Sequence, residues 1–421
     1  MHERDACDRR WGIDVEPLGA AGVRWERTRA HCAVFRTPTS DAGRYCRFVS
    51  EHDPIEELSE LFLVLAENDF TGYCPVYEEL ARSIATDREL LGKILSAASP
   101  NSRRGRLPVL FFAATHDLAL AVPSSDLAKV YRGESEVDPY SAFRSLVDRE
   151  WSTIAHTMGA RSVQTNEVGR SAIVAIASER ALPAGENDID LFEIGPSAGL
   201  NLFFDRFAID YLREEELVAT IGPVESTVRL QCELRGAFTP PLPSNRLRVR
   251  ERSGIDPNPI DVRSETECRW LQACVWPGIP DRPQRLVAAL GIARSDPPSL
   301  IKGDAVDGLA DALTRVQDTA HLVVLSTWAL AYIGNEGRER ILGAVDARGH
   351  ERDLDLVTFE EPRFTPWLDP VDPHVFDRYQ GEGTPTVLGI RSWRGGQCTT
   401  TTLAVAHPHG RWIHWLEENH G

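Results

Sequence analysis

The sequence predicts an α/β protein: an α-helical region, then a mostly parallel sheet ending in a C-terminal antiparallel hairpin. Three observations predict it. Apolar residues recur at three and four through about 46–185. After the Pro183-Ala184-Gly185 break, short apolar runs ending in acidic or small polar residues alternate with helical stretches. Near the end, two β-type runs flank Arg394-Gly395-Gly396. Strands alternating with helices favour a parallel sheet covered on both faces. A length of 421 residues is ample for two domains. The expected division is an unassigned segment 1–45, a helical cap 46–185 and an α/β domain 186–421 with an insertion at about 210–246.

In the cap, Ile55, Leu58, Phe62 and Leu65 set the helical period, Tyr77, Leu80, Ala81 and Ile84 repeat it, and Leu90, Leu91, Ile94 and Leu95 follow. Further helices are expected over 107–122, from Ala142 to Met158 and after Asn166. Ile189 to Ile194 then reads as a strand, Gly195 to Gly199 as a turn and Leu200 to Phe207 as an apolar helix. Later strands are expected at Leu247 to Asp256, Ser299 to Asp304, His321 to Thr327 and Asp355 to Glu361, with helices at Glu265 to Val275 and Arg282 to Ala293. Thr386 to Trp393 and Cys398 to Ala406 form the hairpin, and Arg411 to Leu416 one more short strand.

Charge narrows the partners. A net charge of −17 repels phosphate backbones and anionic lipid, so neither nucleic acid nor membrane is expected, and a small-molecule acceptor is. No run of eighteen apolar residues and no signal-like N-terminus occur, so the expected compartment is the cytoplasm. The eight cysteines lack C-x-x-C spacing and read as reduced structural thiols. His407, His409 and His414 cluster without a carboxylate spaced to complete a metal site, so no metal is expected. His116 reads as an interior histidine, and no G-x-S-x-G elbow is read in the chain, so no serine nucleophile is expected.

The chemistry centres on Glu193-x-Gly195-x-Ser197-x-Gly199, where a strand meets a helix and glycine lets a ligand approach the backbone. The dinucleotide fingerprint needs glycines at 195, 197 and 200, but 197 is Ser and 200 is Leu, so a nicotinamide or flavin enzyme is disfavoured. A phosphate-binding Gly-Lys-Ser/Thr is absent too. The turn resembles the first motif of class I S-adenosylmethionine-dependent methyltransferases, with Ser197 at the middle glycine. That resemblance implies a Rossmann-like sheet, and it assigns Asp256 to the ribose hydroxyls and Asp304 to the adenine amino group. Val323 to Thr327 then resembles the strand bordering the transferred methyl. Each acid taken alone also reads as a turn residue or helix cap. Asp256 follows Glu193 by 63 residues, twice the length of a simple strand-helix-strand unit, so an insertion is required. Val228 to Leu234 alternates as an inserted strand would.

The chain also resembles an uncharacterised bacterial family, the domain of unknown function 2332. The resemblance rests on Gln164 to Arg170, Phe192 to Leu202, Cys232 to Gly236, Gly254 to Asp261, Lys302 to Asp304 and Pro408 to Trp412. It implies a helical region before a methyltransferase-like domain and brings no established reaction.

Candidate cofactor-binding residues are therefore Gln164, Asn166, Glu193, Gly195, Ser197, Gly199, Asn201, Asp256 and Asp304, with S-adenosylmethionine as the cofactor. Gln164 to Glu167 also reads as a helix start, with Thr165 or Asn166 as cap. Glu167, Thr327, Trp328 and Glu361 are candidates for the acceptor side. The alternative is a non-catalytic sensor or interaction module that keeps the nucleoside crevice.

Overall fold

The computed structural model describes residues 53–98, 104–243 and 247–417, so the reading given for 1–45 lies outside the described residues. The helices are α1 (Pro54–Leu65), α2 (Pro75–Thr86), α3 (Arg88–Ala97), α4 (Leu107–Ala121), α5 (Asp126–Tyr131), α6 (Pro139–Ala160), α7 (Ser171–Ala181), α8 (Glu265–Ala273), α9 (Arg282–Ser295), α10 (Ala305–Thr314), α11 (Asn335–Glu351) and α12 (Pro373–Asp377). The strands are β1 (Asp188–Ile194), β2 (Ala208–Arg213), β3 (Glu216–Ile221), β4 (Arg229–Arg235), β5 (Arg248–Asp256), β6 (Ser299–Lys302), β7 (His321–Thr327), β8 (Leu354–Glu360), β9 (Thr386–Arg394), β10 (Gln397–Ala406) and β11 (Trp412–Trp415). The chain forms two units. One contains Asn166–Ile260 and the chain from Ala288 on; the other contains the helices up to Thr165 together with Asp261–Val287.

In the helical unit, the side chains of Asp53, Asp87, Ser125 and Asp138 accept hydrogen bonds from the first-turn amides of α1, α3, α5 and α6. These caps satisfy N–H groups that no helix can pair internally. α1 runs into a π-helical turn, Ala66–Phe70. Phe70 there meets Tyr77 edge-on at 5.4 Å, and Tyr77 stacks on Phe112 at 4.3 Å, in a core shared with Phe62, Phe111 and Phe143. His116 on α4 is an interior histidine: its Nδ1 donates to the Ala273 carbonyl at 3.1 Å, and burial pulls it down to about 4.

The other unit carries one eleven-stranded sheet in the order β3-β2-β4-β11-β10-β9-β8-β7-β1-β5-β6. Neighbours from β6 through β8 are all parallel, β8 to β11 alternate antiparallel, and β11, β4 and β2 are again parallel. The sheet is thus mostly parallel. β1 and β2 are joined by a single 3-10 segment, yet six strands stand between them in the sheet. The sheet accommodates this by bending round α7, which packs on β8, β9 and β4. α7 has no polar face, with Ser171 through Ser178 all buried, as a helix enclosed on every side requires. Tyr211 on β2 donates to the Ala172 carbonyl at 2.7 Å and ties the far end of the sheet to α7.

One expectation changes, and the expected insertion takes a definite form. Leu200–Arg206 is a 3-10 segment and not an α-helix: Gly199 enters it left-handed and Phe203 breaks the helical geometry. The segment between β1 and β5 is a hairpin, β2 and β3, followed by β4. These strands extend the main sheet, because β4 pairs with β11 along its edge and packs on α7 with the buried residues of its alternating pattern.

On the opposite face, α10 and α11 cover Phe192, Ile194, Ile255, Leu322, Val324, Leu354, Leu356 and Trp393. A strand alternates its side chains, so residues sharing the parity of Phe192, Val324 and Leu356 point to this face and the others to the α7 face. Among the described residues no helix is long and apolar enough to cross a membrane. Cys74, Cys232, Cys268, Cys274 and Cys398 are unbridged, and burial pushes the Cys74 thiol up to about 11 and the Cys274 thiol to about 12.

α11 lies flush on Trp393, since a Cβ on Gly349 would enter the indole ring, while one on Gly343 of the same helix meets nothing within 4 Å. Gly349→Ala is therefore expected to lower stability by about 1–3 kcal/mol through overpacking. Gly343→Ala is expected to raise it by roughly 0.5–1 kcal/mol through helix propensity. Urea unfolding of the two variants measures these opposite signs.

Candidate functional site

The carboxyl ends of β6, β5, β1, β7 and β8 lie side by side, and the order of the chain reverses at β1, whose neighbours are β5 and β7. In open α/β sheets such a switch point leaves a crevice beyond the strand ends. Three successive alternate residues of the Gly195 to Gly199 turn are left-handed, with φ of 69° at Gly195, 55° at Ser197 and 70° at Gly199. The turn is anchored to β5. Gly195 N–H donates to the Ile255 carbonyl at 2.9 Å, and Ser197 N–H donates to Asp256 Oδ2 at 2.9 Å. Asp256 Oδ1 accepts from Asn258 N–H at 2.7 Å, and Ile260 N–H returns to the Ser197 carbonyl at 3.0 Å. The two turn glycines also lack space for a side chain: a Cβ on Gly195 would stand 2.9 Å from the Ala329 Cβ, and one on Gly199 3.0 Å from Pro298.

Asp304, at the end of β6, is exposed and caps α10 through Oδ1 and Val306 N–H at 2.8 Å. Its strand is held to β5 by Gly303 N–H on the Asp256 carbonyl at 2.9 Å. Asp256, Asp304 and Gly199 thus belong to one edge.

Glu193 and Thr327 are brought together. Thr327 Oγ1 donates to Glu193 Oε1 at 2.8 Å on the α7 face, beside Asn201, whose Oδ1 accepts from Ser171 Oγ at 3.1 Å. Burial pushes the Glu193 carboxyl up to about 7, against the opposing pull of Thr327, Arg170 and Asn201. On the other face Glu360 Oε1 accepts from Ser326 Oγ at 2.8 Å, Ala329 N–H at 2.8 Å and Leu330 N–H at 3.1 Å, while Oε2 meets no donor among the described residues. Burial again lifts this carboxyl to about 7. Between Ser326 and Ala329 stands Trp328, left-handed at φ 60°. That conformation strains a bulky residue, and the Glu360 clamp on both flanks holds it there.

Arg170 joins three pieces of the edge. Its Nε donates to the Pro408 carbonyl at 2.9 Å, its Nη1 to the Thr327 carbonyl at 3.2 Å, and its guanidinium lies 5.5 Å from the Trp328 ring centre. Next to it, Gly169 and Gly410 touch backbone to backbone with no room for a Cβ on either. This contact sets Glu167, whose Oε1 accepts from Gly169 N–H at 3.1 Å, with Oε2 3.7 Å from His409 Nδ1. His407 is held neutral: burial and then Arg411 pull it down to about 3, and its Nδ1 accepts from His409 N–H at 3.0 Å. Asn166 Oδ1 accepts from Leu200 N–H at 3.0 Å, behind the turn. Gln164 belongs to the helical unit, where its backbone faces the Cys274 thiol. Glu361 pairs with Arg363 at 3.0 Å and takes no part in the clamp. Among the described residues no three His, Cys, Asp or Glu side chains group as a metal would require.

Sequence reasoning singles out Glu361 where the structure buries Glu360, and it passes over Arg170. The parity of β8, carried on from Leu354 and Leu356, is the signal for Glu360. One further feature is corrected: Gly195-Pro-Ser-Ala-Gly199 is itself a G-x-S-x-G run at a strand-to-helix turn, the spacing of a serine nucleophile elbow. Ser197 Oγ is buried and meets no hydrogen-bond partner among the described residues, so no base stands ready to activate it.

These features define an α/β protein with a polar, carboxylate-rich site at its topological switch point. The model of the family described as "Uncharacterized protein conserved in bacteria (DUF2332)" matches residues 59–415, and the chain belongs to that family. No curated protein matches the sequence.

The raised carboxyls give the site a pH signature. Glu360 holds its proton to about 7 in the folded chain against 4.5 ordinarily, so folding takes up a proton between those values and stability falls as pH rises through them. The loss is on the order of 3 kcal/mol per carboxyl. Glu360→Gln keeps the Oε1 acceptor and cannot ionise. It is expected to shrink the difference in unfolding free energy between pH 5 and pH 8 by about 2–3 kcal/mol, read by urea denaturation at both values.

Proposed function

We propose that this protein is an S-adenosylmethionine-dependent methyltransferase-like enzyme acting on a small-molecule acceptor. One observation carries the reading: with β2 to β4 set aside, the parallel strands run third-second-first-fourth-fifth, with the left-handed turn at the end of the first. That is the order of the doubly wound nucleotide-binding sheet. The Ser197 hydroxyl, buried without a partner at this turn, fits a site that expects a polar ligand.

In this reading the Gly195 to Gly199 turn holds the methionine end, with Glu193, Asn201 and Asn166 behind it. Asp256 offers the ribose the lone pairs that its two backbone donors leave, since a carboxylate can accept about four hydrogen bonds. Asp304 faces the adenine. The cofactor, when bound, supplies a methyl group activated as a sulfonium. The chain's own contribution is positioning and exclusion of water. Glu167, Thr327 and Trp328 flank the acceptor side together with Arg170, and Glu361 lies at the end of the next strand.

Calorimetric titration of the full chain with S-adenosylhomocysteine tests the reading. One-to-one binding is expected, and absence of binding at millimolar ligand overturns it. Asp304→Asn keeps an N-cap acceptor but removes the charge, so it is expected to weaken binding about threefold to tenfold with an unchanged melting temperature. Binding without methylated product across an acceptor panel supports the non-catalytic sensor instead.

A further inference from the structure

Ser197 carries two costs in the protein alone. It is one of few non-glycine residues with positive φ, at 55°, a conformation glycine adopts freely and an L side chain does not. Its hydroxyl is also desolvated: the residue is 4% exposed and Oγ meets no hydrogen-bond partner among the described residues. Gly195 and Gly199 on either side show what the turn prefers. A serine at a position that favours glycine is explained if its hydroxyl meets a ligand.

The surroundings narrow what that ligand presents. Ser197 N–H is bonded to the Asp256 carboxylate, and Glu193 closes the same strand end. Within the turn that takes the methionine end, Ser197 is the residue bonded to Asp256: a ligand carboxylate at this point would face the acid at close range, whereas a hydroxyl or ether oxygen would not, so Ser197 stands on the sugar side of the turn. We infer that Ser197 is a sugar-reading residue, whose hydroxyl hydrogen-bonds a ribose oxygen of a bound nucleoside beside Asp256. This rests on the cofactor reading above and adds to it the part of the ligand that Ser197 recognises. It also accounts for the serine in a G-x-S-x-G run that has no base: the hydroxyl binds and does not attack.

Two substitutions separate strain from recognition. Ser197→Gly relieves the backbone and is expected to raise the melting temperature by about 2–4 °C. Ser197→Ala keeps the strained Cβ and removes only the desolvated hydroxyl, so its rise is expected to be smaller than that of Ser197→Gly. Both lose the hydroxyl, so both are expected to bind S-adenosylhomocysteine about threefold to tenfold more weakly. The same factor is expected with 5′-methylthioadenosine, which keeps the sugar and lacks the amino-acid end. If the parent binds neither compound, the cofactor reading fails and this inference with it. If the parent binds but Ser197→Ala binds equally well, only the inference falls. It falls too if the loss is confined to S-adenosylhomocysteine, which would place the hydroxyl at the amino-acid end. Covalent labelling of Ser197 by a fluorophosphonate overturns it as well, by revealing an activated nucleophile.

Discussion

Where a parallel strand ends, the next stretch of backbone has N–H groups that no ladder can pair, and the crevice beyond the sheet leaves them little else. In this protein carboxylates at the strand ends accept them. Asp256 holds the amides of Ser197 and Asn258, Asp304 that of Val306, and Glu360 those of Ala329 and Leu330. The turn after β1, the start of α10 and the strained bend after β7 each depend on one acid. A network of this kind rigidifies the edge because each acceptor is matched to backbone rather than to a mobile side chain.

The arrangement distributes charge unevenly. Asp304 is exposed and serves as an ordinary cap, while Glu193 and Glu360 are buried on opposite faces, where desolvation favours the proton. Arg170 is the cation that both of these carboxyls sense, and it reaches the edge from the segment just before α7. The enclosed helix therefore does more than fill the bend of the sheet. It sets the guanidinium between the end of β7 and the turn at Pro408, where the antiparallel part of the sheet returns to the same edge.

Close backbone contact recurs at this edge. Gly254 leaves only 2.6 Å between a would-be Cβ and the Glu193 carbonyl, and Gly169 and Gly410 exclude side chains from each other. Such contacts bring distant segments together without interposed side chains, and that places Glu167 beside His409. Ser197 departs from this economy, since its turn would be satisfied by glycine.

The sequence by itself determined the elements. The period of three and four in Leu58, Phe62 and Leu65 marks α1, the apolar Leu322 to Leu325 run marks β7, and the Gly395-Gly396 turn marks the last hairpin, because periodicity and turn chemistry are local properties. It also brought Gly199, Asp256 and Asp304 to strand ends, since each follows an apolar run. Only the tertiary structure decided which strands are neighbours: nothing in Ala208 to Arg235 announces that it joins the sheet at the edge farthest from β1. It likewise decided between Glu360 and Glu361, adjacent acids that differ only in the face they present, and it gave Ser197 its left-handed backbone. Pairing, facing and strain arise from contacts between residues remote in the chain, and a pattern read along the chain does not contain them.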